Sequence, residues 1–553
     1  MCGISGYFST QDKFKIDLNY TNQLMGHRGP DNSGVYTDKH FNIGLSHTRL
    51  SIIDTSQRSN QPFVYDDLII TFNGEIYNFL EIKIKYFSDE NFLTTSDTEI
   101  ILKLYKKFGI DKTLELMNGM FAFCLYDINN ERMFVCRDRV GKKPLYYYLD
   151  QDKFVFASEA KCLNQVCNFE INQNVIEDNV VERFSQNISP FKKINFLKNG
   201  KYLKIDLNKF HFEKITYFKF ENLIDSKLYN ELNKKSIDEI IVDFDNIFKK
   251  SIDLRLIADV EIGTINSGGL DSSIVSKTIL QKKELKMFHI DVKGMSEKKY
   301  AKLLSEKLNV RLYSKVLDSN GFEKSIDDVI RHYEYPLVHP NSYGIYLLSK
   351  LANDNKIKVL LSGDGADEVF GGYDFYLKKY RQMKFSFFYK LYYKIKNNKS
   401  GLKNLKTKKS KSQTSIYNNL SHITNIFERS FQSYLINSLN EYLQPLNLRA
   451  DKLGMAHSVE FRAPFLDINL IKFAINLPLR YKINLWSGKI LLKKYSENKI
   501  PKKIIYRNKV GFPVPLIKKA IIDSKLSIQE NYVRYSKSVL KKFTTYKKNQ
   551  IIN

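Results

Sequence analysis

The chain has 553 residues, 43% of them hydrophobic and 13% aromatic, which is enough for two or more buried cores and too apolar for a disordered chain. No apolar run approaches the roughly 18–20 residues of a membrane helix, and the start, MCGISGYFST, lacks both the basic region and the apolar stretch of a signal peptide. The net charge of +27 raises nucleic acid as a partner, but the basic residues are spread along the chain, peak in a Lys-rich insertion near 378–440 and accompany no nucleic-acid motif. Neither nucleic acid nor a membrane is therefore expected as a partner. Five cysteines, an odd number without CxxC spacing, fit a reduced, cytoplasmic setting.

Residues 1–160 read as short β-runs parted by Gly, Asn and Asp turns: GISGYF, NIGLSHTRLSIID, LIITFNGEIYN, GMFAFCLYD, RMFVCRD, PLYYYLD and KFVFASE. The pattern predicts stacked antiparallel sheets. One helix is predicted over 97–109, opened by Asp97 and closed by Gly109. Ill-defined strands follow to 235, ending in a polar stretch, LIDSKLYNELNKKS, read as a linker. From 236 a helical pattern leads into two strand–loop–helix units, EIGTINSGGLDSSIVSKTILQ and KVLLSGDGADEVFGGY, which predict a parallel sheet with crossover helices. Residues 385–440 read as irregular and 441–520 as helical. The expected domains are 2–200 and 236–553.

Cys2 follows the initiator Met, whose removal would leave a thiol and a free α-amine on one residue; an amine of pKa near ~8 can serve that thiol as base. Alone, such a cysteine is an ordinary buried residue. It is followed in order by His27-Arg28-Gly29-Pro30-Asp31, His47-Thr48-Arg49-Leu50-Ser51, Asn73-Gly74-Glu75-Ile76-Tyr77-Asn78 and Ser96-Asp97-Thr98-Glu99. The set resembles the class II glutamine amidotransferase domain, an α+β sandwich of the N-terminal-nucleophile type. The resemblance implies Cys2 as the nucleophile on the glutamine carboxamide. It implies the Asn73 amide and Gly74 N–H as holders of the oxyanion, Arg49 as partner of the α-carboxylate, and Asp97 with Glu75 as partners of the α-ammonium. His27 reads as structural. The segments 137–147 (RDRVGKKPLYY) and 156–159 (FASE) read as the floor between the two halves.

In the second half, Ser267, Gly268, Gly269, Leu270, Asp271, Ser272 and Ser273 stand between a β-run and a helix, where backbone N–H groups bind anionic oxygens. A second loop, Ser362-Gly363-Asp364-Gly365-Ala366-Asp367, adds carboxylates that would repel a nucleotide unless a hard cation such as Mg²⁺ intervened. The first loop resembles the pyrophosphate loop of the α/β ATP pyrophosphatases. That likeness implies an ATP site at Ser267–Ser273 with Ser362 and Gly363, Mg²⁺ on Asp271 and Asp367, and Lys489 against the leaving pyrophosphate.

Both halves together, with the stretch 455–467 (MAHSVEFRAPFLD), resemble the glutamine-dependent asparagine synthetase family. What that implies is a ligase joining glutamine-derived ammonia to an adenylated carboxylate, aspartate first among acceptors, with a homodimer as an open option. The stretch 333–342 (YEYPLVHPNS), His289, Asp291 and Asp364 depart from the usual pattern and keep another acceptor, such as a uronic-acid sugar, in view.

Overall fold

The computed structural model describes residues 2–175, 188–292, 297–317, 319–337, 342–386, 388 and 410–507. Parts of three sequence expectations lie outside these residues: 338–341 of the variant stretch, 389–409 of the insertion, and the end of the second domain past 507.

The first twelve strands are β1 (Gly3–Ser9), β2 (Asn32–Asp38), β3 (Ile43–Arg49), β4 (Phe63–Tyr65), β5 (Leu68–Ile76), β6 (Gly119–Asp127), β7 (Arg132–Arg137), β8 (Tyr146–Leu149), β9 (Lys153–Ala157), β10 (Asn195–Phe196), β11 (Lys201–Asp206) and β12 (His211–Thr216). They form two antiparallel six-stranded sheets, ordered β10-β8-β9-β1-β3-β2 and β12-β11-β7-β6-β5-β4. The sheets face each other across Ile4, Phe8, Leu45, Ile69, Cys124, Tyr126 and Val135, all buried. The helix Thr98–Leu116 covers the outer face of the second sheet through Ile101, Leu104 and Leu114, which meet Ile70 and Phe72. This is the antiparallel sandwich that the β-runs predict.

Gly109 closes the first helical segment, as expected, with the non-helical angles φ 75° and ψ 175°, and a second segment follows to Leu116. One element differs from expectation. The supposed linker holds the helix Ser226–Lys234, capped by the Asp225 carboxylate at Leu228 N–H and buried through Tyr229 and Leu232. Two apolar anchors in a polar run are too few to register as a periodic pattern.

The second half is built on a parallel sheet of β13 (Ile262–Ile265), β14 (Lys286–Val292), β15 (Leu312–Leu317), β16 (Val359–Leu361) and β17 (Glu460–Arg462), in the order β15-β14-β13-β16-β17. One face, Met287, Val359 and Leu361, packs on the helix Ile237–Arg255 through Phe244, Phe248 and Ile252. The other, Phe288, Ile290, Leu360 and Phe461, joins Tyr7, Tyr146, Val155 and Ala157 of the first half in a single apolar cluster. The strand order reverses between β13 and β16, the crevice where open α/β sheets take their ligands. Both predicted loops leave the sheet there. Within the stretch expected to be irregular, the helices Lys411–Asn419 and Ile426–Met455 begin.

Charged groups are buried at the seam. Arg462 donates from Nε to Glu460 at 2.6 Å and from Nη1 to the Arg255 and Ile257 carbonyls, and pairs with Glu75 of β5 at 3.2 Å. Replacing only Arg462 would strand two buried carboxylates. Arg462→Met is expected to cost about 3–5 kcal/mol, read as a lower urea midpoint; an unchanged midpoint would show that the pair does not hold the halves.

Candidate active sites

The first site grows from the period-two alternation of β5. Ile69, Thr71, Asn73 and Glu75 share the face turned toward the first sheet. Ile69 lies in the core, Thr71 donates to the Ser46 carbonyl at 3.0 Å, Asn73 meets Cys2 and Glu75 meets Arg462. One strand face thus passes from core to site to domain seam. Asn73-Gly74 is not the hairpin turn this dipeptide often makes; both residues lie inside the strand. A Cβ at Gly74 would stand 2.2 Å from the Met120 carbonyl oxygen, so the close pairing with β6 demands glycine.

The Cys2 nitrogen donates to Asn73 Oδ1 at 3.1 Å, while Asn73 Nδ2, fully buried, has no hydrogen-bond partner among the described residues. The Phe72 and Ile76 N–H groups leave β5 on the same edge, to Gln61 Oε1 and Asp97 Oδ2, each at 2.7 Å. By alternation the Gly74 N–H, midway between them, points to that edge as well. An orphaned amide and a neighbouring backbone N–H therefore stand beside the cysteine. Burial raises the Cys2 thiol above its ordinary pKa; the chain's terminal ammonium, a backbone hydrogen bond from Leu50 and the Arg49 charge pull it back.

Arg49 ends β3, buried to 5% exposure. Nη1 donates to the Ser56 carbonyl at 2.7 Å and Asn60 Oδ1 at 2.8 Å, and Nη2 donates to the Asp54 carbonyl. These neutral acceptors fix the fork without cancelling its charge. Asp97 occupies the N-cap position of its helix but makes no capping bond; its carboxylate reaches instead to Ile76 N–H and Ser96 Oγ. Burial lifts its pKa to about 6. Glu75, expected beside Asp97 on the α-ammonium, is committed to Arg462, and burial pushes its carboxyl well above the usual range.

Two sets of residues escaped the sequence reading. Asp54, Ser56 and Asn60 hold Arg49 through main-chain carbonyls and one side-chain amide, which leave no signature in residue type. Arg28, read only as scaffold, donates from Nε to the Cys2 carbonyl at 3.0 Å and from its other nitrogens to Glu159 and Asp451. His27, read as structural, joins the same Glu159 at 3.0 Å.

The second site forms where β13 and β16 end. Ser267 Oγ and Ser272 Oγ lie 3.1 Å apart, Ser273 Oγ donates to the Gly269 carbonyl, and Gly269 starts the helix Leu270–Leu280. Gly363 is packed so tightly on this helix start that a Cβ there would lie 2.8 Å from the Asp271 Cβ, so the two loops form one wall. Ser362 Oγ donates to Asp364 Oδ2 at 2.8 Å. Lys489, 218 positions after Asp271, lands between the loops: its Nζ is 2.6–2.7 Å from both Asp271 oxygens and 2.6 Å from Asp367 Oδ1. Burial lowers the lysine's proton affinity, but the two carboxylates more than restore it. All three residues singled out by sequence are therefore brought together. Among the described residues no group of three His, Cys, Asp or Glu side chains could hold a metal unaided.

Comparison with known proteins matches residues 243–540 to the asparagine synthase family and residues 1–218 to the glutamine amidotransferase domain. The chain is 29% identical over 569 residues to asparagine synthetase (glutamine-hydrolyzing) 1 of Bacillus subtilis, covering 93% of this chain and 87% of that one. It is 27% identical over 553 residues to asparagine synthetase (glutamine-hydrolyzing) 2 of the same organism, covering 93% and 72%. With the amidase chyE of Penicillium rubens it shares 31% identity over 408 residues, 68% of this chain and 59% of that one.

Gly372 gives the Lys489 contact its room: a Cβ there would fall 2.0 Å from Lys489 Cε and 2.1 Å from Asp367 Oδ1. Gly372→Ala is expected to lower ATP-dependent turnover on the order of a hundredfold while leaving glutamine hydrolysis intact. Unchanged turnover would show that this lysine–carboxylate contact is not needed.

Proposed function

The chain belongs to the asparagine synthase family, and on that footing we propose that it is a glutamine-hydrolysing asparagine synthetase. The observation that supports the reading is that the residues implied for each half-site gather within one chain, whose halves are joined by buried ion pairs. At the first site, Met removal would turn the Cys2 nitrogen into an α-amine, and this base would take the thiol proton as sulfur attacks the glutamine carboxamide. Asn73 Nδ2 and the Gly74 N–H would receive the oxyanion, donors preset for charge that develops only in the transition state. Arg49 would hold the α-carboxylate and Asp97 the α-ammonium. Glu75 is better assigned to the seam than to glutamine.

At the second site the Ser267–Ser273 loop, with Ser362 and Gly363, would cradle the ATP phosphates. Asp271 and Asp367 converge on one point, which suits Mg²⁺; two protein carboxylates alone leave most of its shell to phosphate and water oxygens, and bound there it would supply neutralising charge. Lys489 would leave the two aspartates for the departing pyrophosphate. The aspartate side chain, adenylated, would then be attacked by ammonia, giving asparagine and AMP. A closed passage between the sites keeps ammonia unprotonated and the acyl-adenylate away from water.

A second reading rests on His289. It is 3% exposed in the middle of β14, donates from Nδ1 to the Asn266 carbonyl (2.8 Å), has no partner for Nε2 among the described residues, and lines a cavity of about 30 Å³. An extra polar side chain there favours an acceptor with more polar groups than aspartate, such as a uronic-acid sugar.

Pyrophosphate release with Mg-ATP, glutamine and a panel of carboxylates tests the two readings. Aspartate-dependent release is expected; release only with a uronic acid would transfer the assignment to the second. In the same assay Cys2→Ala should lose glutamine-supported synthesis and keep ammonia-supported synthesis.

The Asp97 carboxyl is charged above pH 6 and neutral below. The KM for glutamine is therefore expected to rise as pH falls through about 6. Asp97→Asn should raise KM at least about tenfold at neutral pH and abolish that rise; a wild-type profile in the variant would remove Asp97 from the pocket.

A further inference from the structure

The Ser267–Ser273 loop is pressed against the start of the helix Lys298–Leu308. Gly268 has φ 70°, and a Cβ there would lie 3.0 Å from Ala301 N and Tyr300 Cβ and 3.1 Å from the Glu297 carbonyl oxygen. A glycine in the left-handed region lets the loop lie directly on this helix start. Glu297 stands at the N-cap position of the helix but makes no capping bond. It lines the same small cavity as Asn266 and Ser267.

The Glu297 carboxylate turns instead to a cation from far along the chain. Arg507 donates to it from Nη1, and the guanidinium lies 4.7 Å from the centre of the Tyr300 ring. The two side chains are 11% and 12% exposed, so the pair is largely withdrawn from water. Nη2 stands 3.6 Å from the point where a Gly269 side chain would begin, and glycine there keeps the space between loop and guanidinium clear. A guanidinium carries five N–H donors. Among the described residues the bond to Glu297 is the one hydrogen bond that Arg507 makes, which leaves Nε and Nη2 for a ligand. In sequence Arg507 is one basic residue among many, so nothing local marks it.

Charge is distributed unevenly along the crevice. At the Asp271 end, Lys489 is held between Asp271 and Asp367. Ser267, Gly268 and Gly269 carry no charge, and Arg507 is the cation whose nitrogen comes to that end. A polyphosphate lying along the loop would meet an ammonium at one end and a planar fork at the other, and parallel N–H groups of such a fork match two phosphate oxygens.

We propose that Arg507 binds the polyphosphate of the nucleotide through Nε and Nη2, with Glu297 as the positioning residue that orients it from behind. The assignment rests on the reading of Ser267–Ser273 as the phosphate site and not on which carboxylate is amidated.

The test is therefore one of binding, without any acceptor. The full chain is titrated calorimetrically with Mg²⁺ and α,β-methylene-ATP, which cannot be cleaved between its α and β phosphates. Arg507→Ala should weaken this binding at least about tenfold, with an unchanged urea midpoint. Arg507→Lys, a point charge without the fork, should recover only part of the loss, and Glu297→Gln should cost less than Arg507→Ala. Adenosine, which has no phosphate, should compete equally well at wild type and Arg507→Ala. Equal affinity of wild type and Arg507→Ala for the analogue would overturn the proposal. So would equal losses in Arg507→Ala and Glu297→Gln with a lowered urea midpoint, the mark of a tie between chain segments. Binding that follows these expectations while no carboxylate supports pyrophosphate release would remove the proposed synthetase activity and uphold the role of Arg507.

Discussion

Arg28 is fully buried where the two halves meet, and its nitrogens reach three distant parts of the chain: the Cys2 carbonyl, Glu159 and, 423 positions on, Asp451. A guanidinium taken out of water costs several kcal/mol unless every donor finds a partner in good geometry. Burial alone would lower the Arg28 pKa; Asp451 and Glu159 more than offset it and keep the group charged. Asp451 lies on the helix Ile426–Met455 of the second half. The carbonyl of Cys2 is thus positioned by a cation that needs a carboxylate from the other half, so the cysteine site is not a self-contained module.

The same device recurs along the seam. Glu334 accepts from the Ala160 and Lys161 N–H groups at 2.9 and 2.8 Å and pairs with Lys452. Arg462 ties Glu75 and Glu460, and at the half-exposed edge Lys358 meets Asp31 at 2.7 Å. Between these polar posts lies the apolar cluster that Tyr7 and Tyr146 share with Phe288 and Phe461. Apolar contact seals the seam against water, and the buried ion pairs allow only one register, because a slip would leave charges unpaired in a medium that cannot solvate them. Any passage for ammonia must run inside that seal.

What the sequence made legible follows from how each feature is encoded. Cys2, Arg49, Asn73, Gly74 and Asp97 sit in short motifs, and the structure gathers them where β1 and β3 of one sheet, β5 of the facing sheet and the helix start at Asp97 meet. The helix Ile237–Arg255 announces itself through the Ser236–Glu239 capping box and a regular apolar face. Asp97 shows the limit of such reading: its position at a helix start was plain, but its side chain turns away from the cap to the β5 edge, a choice made by tertiary contact. Arg28, Asp451 and Glu334 were not legible, since nothing local distinguishes a buried interdomain charge from a surface one. The pairing of Glu75 was not legible for the same reason, because its partner Arg462 lies 387 positions away.

Lys489 joins the two levels. Its backbone is left-handed, φ 56° and ψ 39°, a conformation that costs a side-chain-bearing residue of order 1–3 kcal/mol and persists only where the surroundings enforce it. Here they do: Lys489 N–H is held by the Phe370 carbonyl, and Gly372 clears the path of the side chain. The strain sets Nζ between Asp271 and Asp367, two carboxylates that would otherwise repel each other across the phosphate crevice. On the proposed assignment the lysine keeps the acidic pair together until a nucleotide with its cation takes over the neutralising role, freeing the ammonium for the leaving group. Local backbone strain thereby positions the lysine of the second site, as the Arg28 network positions the Cys2 carbonyl of the first.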